Sequence, residues 1–312
     1  MNNFSLIGAA GYIAPRHMKA IKETNNNLLA CYDINDSVGI IDSYFPNASF
    51  FTEFERFDRY IEKLKYDENK VIDFTTICSP NYLHDAHIRF ALRSGSNAIC
   101  EKPIVLNPWN IDKLIKAEEI YNKRIYTILQ LREHPTIISL KEKYKNITKK
   151  VKINLTYITS RGSWYDYSWK GAIDKSGGIA TNIGIHFFDI LIWIFGEVES
   201  SNLHYSDNHT SSGFLSLKNA DVSWFLSIEN KFLPNELKTK GQRTYRSIEI
   251  DDDILEFSDG FTDLHTKVYK SIIDEKGFGV QDAYASINLV YGLREMKTNK
   301  KGLIHPFVKK LS

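Results

Sequence analysis

Cysteine is scarce in this chain, which has three cysteines among its 312 residues. Cys31, Cys78 and Cys100 each lie inside or at the end of an apolar, strand-like run, and no pair has the spacing of a zinc site or a redox motif. So few cysteines exclude a disulfide framework. We expect free, buried thiols, which suit a reducing compartment.

A strong charge of one sign and long apolar runs are also missing. The formal net charge of +2 is too small to indicate a nucleic-acid partner. No uninterrupted apolar run has the length that spanning a bilayer requires, and the start, MNNFSLIGAA, lacks the basic residues and long apolar core of a signal peptide. With 43% hydrophobic and 25% charged residues the composition is that of a globular protein, and we expect a cytoplasmic enzyme.

Short apolar runs alternate with amphipathic segments over residues 1–125. The predicted strands are FSLIGAA, NLLACYD, VIDFTTICS, NAICEK and RIYTILQL, and the predicted helices are Pro15 to Thr24, Phe54 to Tyr66, Leu83 to Ser94 and Ile111 to Tyr121. Alternating strands and helices form parallel, doubly wound sheets. The sequence therefore predicts an α/β domain of the Rossmann type over residues 1–125.

The alternation of predicted strands and helices ends at about Lys150, and beyond it strand-like runs follow one another with few helices between them. The predicted strands are KVKINLTYI, ESSNLHYS, SGFLSLK, DVSWFLSIE and RSIEIDDD, and the predicted helices begin near Thr181 or span Asp263 to Glu275 and Val280 to Thr298. This pattern predicts a largely antiparallel sheet in a second domain, residues 126–312.

A glycine loop joins the first predicted strand to the first predicted helix in SLIGAAGYIAPRHM. Gly8 and Gly11 allow a sharp turn and a close backbone approach to a pyrophosphate, although Ala10 and Ile13 occupy the other two positions of G-x-G-x-x-G. A plain strand–helix turn explains the loop equally well. Asp33 follows about 20 residues later, where a carboxylate binds the adenosine ribose and repels a 2′-phosphate, so NAD is favoured over NADP. Alternatively, Asp33 only forms the turn in YDIND.

Two further strand ends carry polar residues. In CSPNYLHDAHI, Ser79 and Asn81 follow a strand, either as ligand-binding residues or as the cap of a helix. In AICEKPIVLN, Glu101 and Lys102 stand where the chain turns, and ligands of open α/β sheets bind at such carboxyl ends. An exposed strand end is the alternative. His84 lies three residues before a second histidine, but a third metal ligand is missing, so no metal site is predicted.

The stretch KSGGIATNIGIHFFDILIWIFG begins with two glycines and continues with helical periodicity. Asn182 and His186, four positions apart, share one face of the predicted helix, and Asp189 follows three positions later. Two interpretations stay open at this point. The histidine either has a catalytic role or is a hydrogen-bonded residue of a core helix.

Taken in this order, the glycine loop with Asp33, SPNYLH, EKP and SGGIATNIGIHFFD resemble the glucose–fructose oxidoreductase / inositol dehydrogenase (Gfo/Idh/MocA) family over essentially the whole chain. The resemblance implies a Rossmann domain, then an α/β domain with a large, open, mainly antiparallel sheet that often serves oligomerisation. It also implies catalytic roles for Lys102 and His186. The family commonly has Asp where this chain has Asn182. The cofactor-binding set that it implies is Gly8, Gly11, Tyr12, Ile13, Asp33, Ser79, Asn81, His84, Glu101 and Lys102.

Within that family, the stretches GAAGYIAPRHMKAIK, DSYFPNASFFTEFERFDRY, SPNYLHDAHIRFAL and SGGIATNIGIHFFD are similar to those of bacterial UDP-N-acetylglucosaminuronate 3-dehydrogenases of surface-polysaccharide (O-antigen) biosynthesis. The implied reaction is NAD-dependent oxidation of the sugar C3 hydroxyl, with His186 removing the proton and Lys102 bonding the oxygen, although Lys102 as the base stays open. The implied partners are the UDP-sugar, 2-oxoglutarate as reoxidant, and further copies of the chain in a homotetramer or other homo-oligomer. Another sugar or cyclitol dehydrogenase, or a non-catalytic NAD-binding sensor, is the alternative. The implied substrate-binding set is Lys102, Arg161, Tyr165, Asn182 and His186.

Overall fold

Two compact units make up the chain in the computed structural model, which describes residues 1–67, 69–251, 253–256 and 263–308. The first unit is discontinuous and combines Met1–Glu133 with Thr262–Tyr284, and the second combines His134–Phe261 with Ala285–Ser312. The domain ranges 1–125 and 126–312 stay a prediction about function, because functional domains and compact units need not share their limits.

The first unit contains a parallel six-stranded sheet in the order β3-β2-β1-β4-β5-β6. Its strands are β1 (Asn3–Ile7), β2 (Asn27–Tyr32), β3 (Ser49–Phe51), β4 (Phe74–Ile77), β5 (Asn97–Cys100) and β6 (Ile125–Thr127). The strand order reverses between β1 and β4, so a crevice opens there at the carboxyl ends of the strands. The predicted doubly wound Rossmann sheet is confirmed.

Helices cover the sheet of the first unit and pack on that of the second. They are α1 (Ala14–Glu23), α2 (Phe54–Tyr66), α3 (His84–Arg93), α4 (Trp109–Tyr121), α5 (Pro135–Lys143), α6 (Trp164–Tyr167), α7 (Ile173–Ser176), α8 (Ile185–Phe195), α9 (Asn235–Thr239), α10 (Leu264–Ile273) and α11 (Tyr284–Glu295). In α1, Pro15 lies in the first turn, and Ala14, Met18 and Ile21 form a buried stripe at helical spacing. That stripe packs in one core cluster with Phe4 of β1 and residues of α10.

The second unit contains a mixed sheet in the order β12-β11-β7-β10-β9-β8, in which β7 and β10 are parallel and the other pairs antiparallel. Its strands are β7 (Val151–Thr159), β8 (Val198–Ser206), β9 (Thr210–Leu217), β10 (Ala220–Ser227), β11 (Thr244–Ile250) and β12 (Asp253–Glu256). Successive side chains of β10 serve opposite faces: the Trp224 ring lies 5.2 Å from that of Phe188 on α8, and the Phe225 ring 5.1 Å from that of Phe307. The predicted mainly antiparallel sheet is confirmed.

Within the described residues, one helical stretch, Ile173–Phe195, is long and apolar enough to cross a membrane by length and composition, and its most apolar window has a mean hydropathy of 1.6. This stretch is not an uninterrupted apolar run in the sequence, because Asp174 and Lys175 lie near its start. Most of its most apolar window, 72%, is buried inside the protein. Burial of this kind is what a core helix of a globular unit shows.

Candidate active site

The glycine loop leads from β1 into α1 and passes very close to the end of β4. Gly8 has φ +93°, and a Cβ on it would lie 2.6 Å from the carbonyl carbon of Cys78 and 2.7 Å from the nitrogen of Ser79. The Gly11 amide donates to the Gly8 carbonyl at 3.1 Å, which closes the turn. Only glycine fits at position 8 without moving the backbone, and the loop brings main-chain amides to the start of α1.

Asp33 stands directly after β2 and is tied to the glycine loop. Its Oδ2 accepts a hydrogen bond from the Ala10 amide at 2.9 Å, and its Oδ1 accepts one from the Asn35 amide at 2.9 Å. Each carboxylate oxygen has two acceptor sites, so both can accept a further donor from a ribose. Tyr12 is 87% exposed beside the loop, and Ile13 precedes the first residue of α1.

The segment after β4 is held by two buried histidines. His84 Nε2 lies 2.8 Å from the Ser79 carbonyl oxygen and His84 Nδ1 2.7 Å from the Pro103 carbonyl oxygen, while the Ser79 hydroxyl lies 2.8 Å from His87 Nδ1. Burial lowers the pKa of His84, whereas its two carbonyl partners act in the opposite direction. Both ring nitrogens of His84 are used within the chain, so any contact that it makes with a cofactor involves its carbon atoms. Asn81, two residues after Ser79, is also buried.

We expect His84→Leu to destabilise the protein by about 1 to 3 kcal/mol, because the hydrogen bond that the neutral imidazole donates to one of the two carbonyl oxygens is lost and that carbonyl stays behind in the interior. Urea-induced unfolding, followed by circular dichroism, measures the change. Arg93→Ala, an exposed position at the end of the same helix, is the matched control and should stay within about 0.5 kcal/mol of the parent. Equal stability of the two variants would contradict this role of His84.

The Glu101–Lys102 turn follows β5 and contains a cis peptide bond between Lys102 and Pro103. Glu101 is 6% exposed, and its carboxylate lies within hydrogen-bonding distance of two histidine rings, those of His17 on α1 and His265 on α10. Lys102 is half-buried. A salt bridge within the dipeptide is therefore not what holds Glu101.

His17 and His265 were not among the predicted site residues. One signal was available for His17, since it interrupts the apolar stripe of α1, and a polar side chain at such a position needs a hydrogen-bonding partner. Its partner is not predictable from spacing, because Glu101 lies 84 positions away. Within the described part of the chain, these three side chains also form a group whose ligand atoms all lie within 4.8 Å of one another, close enough for a metal ion.

In the second unit, a hydrogen bond connects two of the predicted substrate-binding residues, Asn182 and Tyr165. Asn182 Nδ2 donates a hydrogen bond to the Tyr165 hydroxyl at 2.8 Å, and both side chains are buried. Burial raises the pKa of Tyr165. Asn182 lies in a π-helical turn, Ala180–Gly184, that runs into α8, and such turns are frequent at functional sites.

His186 is half-buried in the first turn of α8, while Asp189, one turn further, is buried. Gly184, just before this helix, allows close packing on the sheet, because a Cβ on it would lie 2.5 Å from Leu226. Arg161 is exposed shortly after β7, where its amide donates to the Ile228 carbonyl at 2.9 Å. The predicted substrate-binding residues of this unit therefore lie on three elements. Asn182 and His186 lie on the π-helical turn and α8, Tyr165 lies on the short helix α6, and Arg161 follows β7.

The residues of the first unit fit a dinucleotide such as NAD. The glycine loop offers a backbone surface without a side chain at its tightest point, and it lies next to the reversal of strand order. Asp33 lies at the end of β2, beside this loop. Gly8, Gly11 and Asp33 would hold the pyrophosphate and the adenosine ribose, and bound NAD would supply a hydride acceptor.

Two family models match the chain. Residues 2–129 match the oxidoreductase family, NAD-binding Rossmann fold, and residues 146–221 match the C-terminal alpha/beta domain of the same family. Both matches agree with the resemblance drawn from the motifs. An "Oxidoreductase P35" from Formosa agariphila is 25% identical over 264 residues, which cover 77% of each chain.

Some proteins of known structure are more similar to this chain than that oxidoreductase is. The WlbA (WbpB) dehydrogenase from Thermus thermophilus is 47% identical, with a TM-score of 0.94, over 98% of this chain and 100% of its own. That protein was crystallised with NAD and alpha-ketoglutarate and with NAD and UDP-GlcNAcA. The WlbA dehydrogenase from Bordetella pertussis, 19% identical with a TM-score of 0.75 over 94% of each chain, shares the fold.

Proposed function

Since the chain belongs to the Gfo/Idh/MocA family of oxidoreductases, we propose that it uses NAD to oxidise the C3 hydroxyl of UDP-N-acetylglucosaminuronic acid to a ketone. The observation that carries this proposal is the 47% identity, over almost the whole chain, to a dehydrogenase crystallised with NAD and UDP-GlcNAcA. The residues that hold NAD are those of the glycine loop, Asp33 and the strand ends after β4 and β5.

The proposed chemistry assigns two residues to the reacting hydroxyl. NAD supplies the hydride acceptor. Lys102 donates a hydrogen bond to the hydroxyl oxygen, and His186 removes its proton, or Lys102 itself does so. Asn182 cannot ionise and donates its amide hydrogen to Tyr165, so it orients side chains rather than relaying a proton.

The remaining substrate groups are the diphosphate and the sugar carboxylate, both anionic. Arg161 is exposed and positively charged, which suits bidentate binding of either group. Tyr165 is buried, and its hydroxyl is held in a fixed orientation by the hydrogen bond from Asn182. Both residues lie in the second unit, which we propose to be the substrate-binding part of the chain.

Incubation of purified protein with NAD and UDP-N-acetylglucosaminuronic acid tests the function. We expect reduced nicotinamide to appear, and 2-oxoglutarate to reoxidise it in a second phase. UDP-N-acetylglucosamine, which lacks the carboxylate, is the matched control and should react poorly. Faster turnover of myo-inositol or of a free hexose would favour another sugar or cyclitol dehydrogenase, and binding of NAD without turnover of any sugar would favour a sensor.

We further propose that the protein acts in the cytoplasm, in the biosynthesis of a diamino uronic acid for the O-antigen of lipopolysaccharide. A 3-keto sugar is the substrate that an aminotransferase requires, and nucleotide sugars are made inside the cell. The second sheet is proposed to join copies of the chain into a homotetramer or other homo-oligomer, which light scattering of the purified protein measures.

Asp33 is expected to determine the choice of NAD over NADP, because its carboxylate binds the ribose hydroxyls and repels a 2′-phosphate. Asp33→Ser combined with Ile34→Arg, at a position that is 82% exposed, should shift the affinity ratio towards NADP by about a hundredfold. Titrations of both cofactors measure the ratio, and Ile34→Arg alone is the control. Equal binding of NADP and NAD by the wild-type protein would refute the assignment.

Arg161→Ala is expected to raise KM for the nucleotide sugar by about tenfold or more, because one charge-assisted contact with an anionic group is lost. The affinity for NAD should stay the same. Arg243→Ala removes another exposed arginine of the second unit and serves as the control. An unchanged KM in Arg161→Ala would leave this residue as part of a solvated loop.

A further inference from the structure

The Glu101 carboxylate is a buried anion at the end of β5, held by donors from three directions. Its Oε1 lies 2.9 Å from His17 Nε2 and 3.2 Å from His265 Nε2, and its Oε2 accepts from the Lys102 amide at 3.2 Å. The side chains of the two histidines are 0% and 5% exposed, and that of Glu101 is 8% exposed. All of these groups belong to the first unit.

The hydrogen bonds assign one negative charge to this cluster. His17 Nδ1 lies 2.8 Å from the Tyr269 hydroxyl, which in turn lies 2.8 Å from the Thr76 hydroxyl. A chain in which Thr76 donates to Tyr269, Tyr269 to His17, and His17 to Glu101 satisfies every group with a neutral imidazole. His265 needs only its Nε2 hydrogen to complete the set, so a cation is not required at either ring.

The pKa directions agree with this account. Burial lowers the pKa of His17 and outweighs the contribution of Glu101, which favours the neutral ring. Burial raises the pKa of the Glu101 carboxyl, but the bonds from His17 and His265 outweigh it and hold that pKa well below its usual range. The hydrogen-bond chain also explains every close contact of the possible metal group without an ion.

The order of the strands places this anion under one half of the proposed cofactor. The adenosine ribose belongs at Asp33 after β2, and the pyrophosphate at the glycine loop after β1. The sheet continues with β4 and then β5, each about 4.8 Å further along. A dinucleotide that crosses the reversal of strand order therefore has its nicotinamide half over β4 and β5, the side on which Glu101 lies.

We propose that the buried Glu101 carboxylate makes the first unit bind oxidised cofactor in preference to reduced cofactor, with His17 and His265 as the positioning residues that hold the anion. This inference rests on the proposed use of NAD. The nicotinamide ring is a cation in NAD and uncharged in NADH, so a fixed nearby anion attracts only the oxidised form. Because such a site stabilises the oxidised form, bound NADH becomes a stronger hydride donor towards a keto acid.

Dissociation constants of NAD and NADH, measured by calorimetry on protein freed of cofactor, test the proposal. In Glu101→Gln we expect the ratio Kd(NADH)/Kd(NAD) to fall by about tenfold. A merely structural role would weaken both ligands alike and leave the ratio unchanged. Glu118→Gln is the matched control, because that carboxylate accepts from the Ile125 amide at the opposite end of the strands, at 2.7 Å. Its ratio should equal that of the wild type.

His17→Asn should lower the ratio in the same direction by a smaller factor, because the carboxylate keeps its charge but loses a fixed donor. If Glu101→Gln does not fold, His17→Asn and the wild type test the proposal instead. Tenfold tighter binding of NADH than of NAD by the wild type would overturn the proposal. An unchanged ratio in a folded Glu101→Gln protein that still binds NAD would overturn it as well. A wild-type protein that binds neither ligand would instead contradict the use of NAD.

Discussion

Lys102→Ala and His186→Ala are each expected to lower kcat by about two or more orders of magnitude, the usual effect of losing an acid–base group. NAD should still bind, since the glycine loop, Asp33 and Glu101 are unchanged in both variants. Single-turnover reduction of bound NAD, combined with thermal unfolding, separates a chemical defect from a folding defect. Lys113→Ala, on the exposed face of α4, and His204→Ala, on β8, are the matched controls.

The double variant provides a second test of the same pair. If both side chains act on one hydroxyl, the double variant should be little slower than the slower single variant, because residues that act as a unit are not additive. Near-normal turnover in a folded His186→Ala protein would show that His186 is a core histidine. In that case the variant would lower the melting temperature and leave the chemistry intact.

Gly8→Ala is expected to abolish measurable NAD binding and to destabilise the protein by about 2 kcal/mol or more. A methyl group at this position would lie 2.6 Å from the backbone of Cys78, and φ at +93° is strained for any residue with a Cβ. The loop must then move away from β4, which displaces the amides that face the pyrophosphate. NAD titration and thermal unfolding measure the two effects.

Gly39→Ala is the control for this substitution, because a Cβ on Gly39 would have no heavy atom within 4 Å and its φ lies outside the positive region. Both stability and NAD binding should stay near the wild-type values. Wild-type affinity for NAD in Gly8→Ala would mean that the loop is an ordinary strand–helix turn.

Much of the first unit could be predicted because its signals are local. The limits of α2, Phe54–Tyr66, agree with the prediction to the residue, since Phe57, Ile61 and Leu64 recur at helical spacing. The strand that ends at Ile7 and the glycine loop after it likewise depend on neighbouring residues alone. RIYTILQL was predicted to form a longer strand than β6, because the chain turns after Thr127 while the apolar run continues.

Other features depend on contacts that no local pattern records. The parallel pairing of β7 with β10 joins segments about 70 residues apart, and each strand alone has the same pattern that antiparallel pairing would give. The hydrogen bonds from His17 and His265 to Glu101 span 84 and 164 positions. The amphipathic pattern of α10 does not indicate that this helix returns to the first unit.

That return has a consequence for how the protein is made. Tyr269, Val268 and Ile272 of α10 share a core cluster with Phe4 and Met18, so the nucleotide-binding half is incomplete until α10 has left the ribosome. At ordinary translation speeds, the intervening residues 134–261 take on the order of ten seconds to synthesise. During that interval the nascent first half exposes the apolar surface that α10 later covers. A separately expressed fragment 1–133 should be prone to aggregation for the same reason.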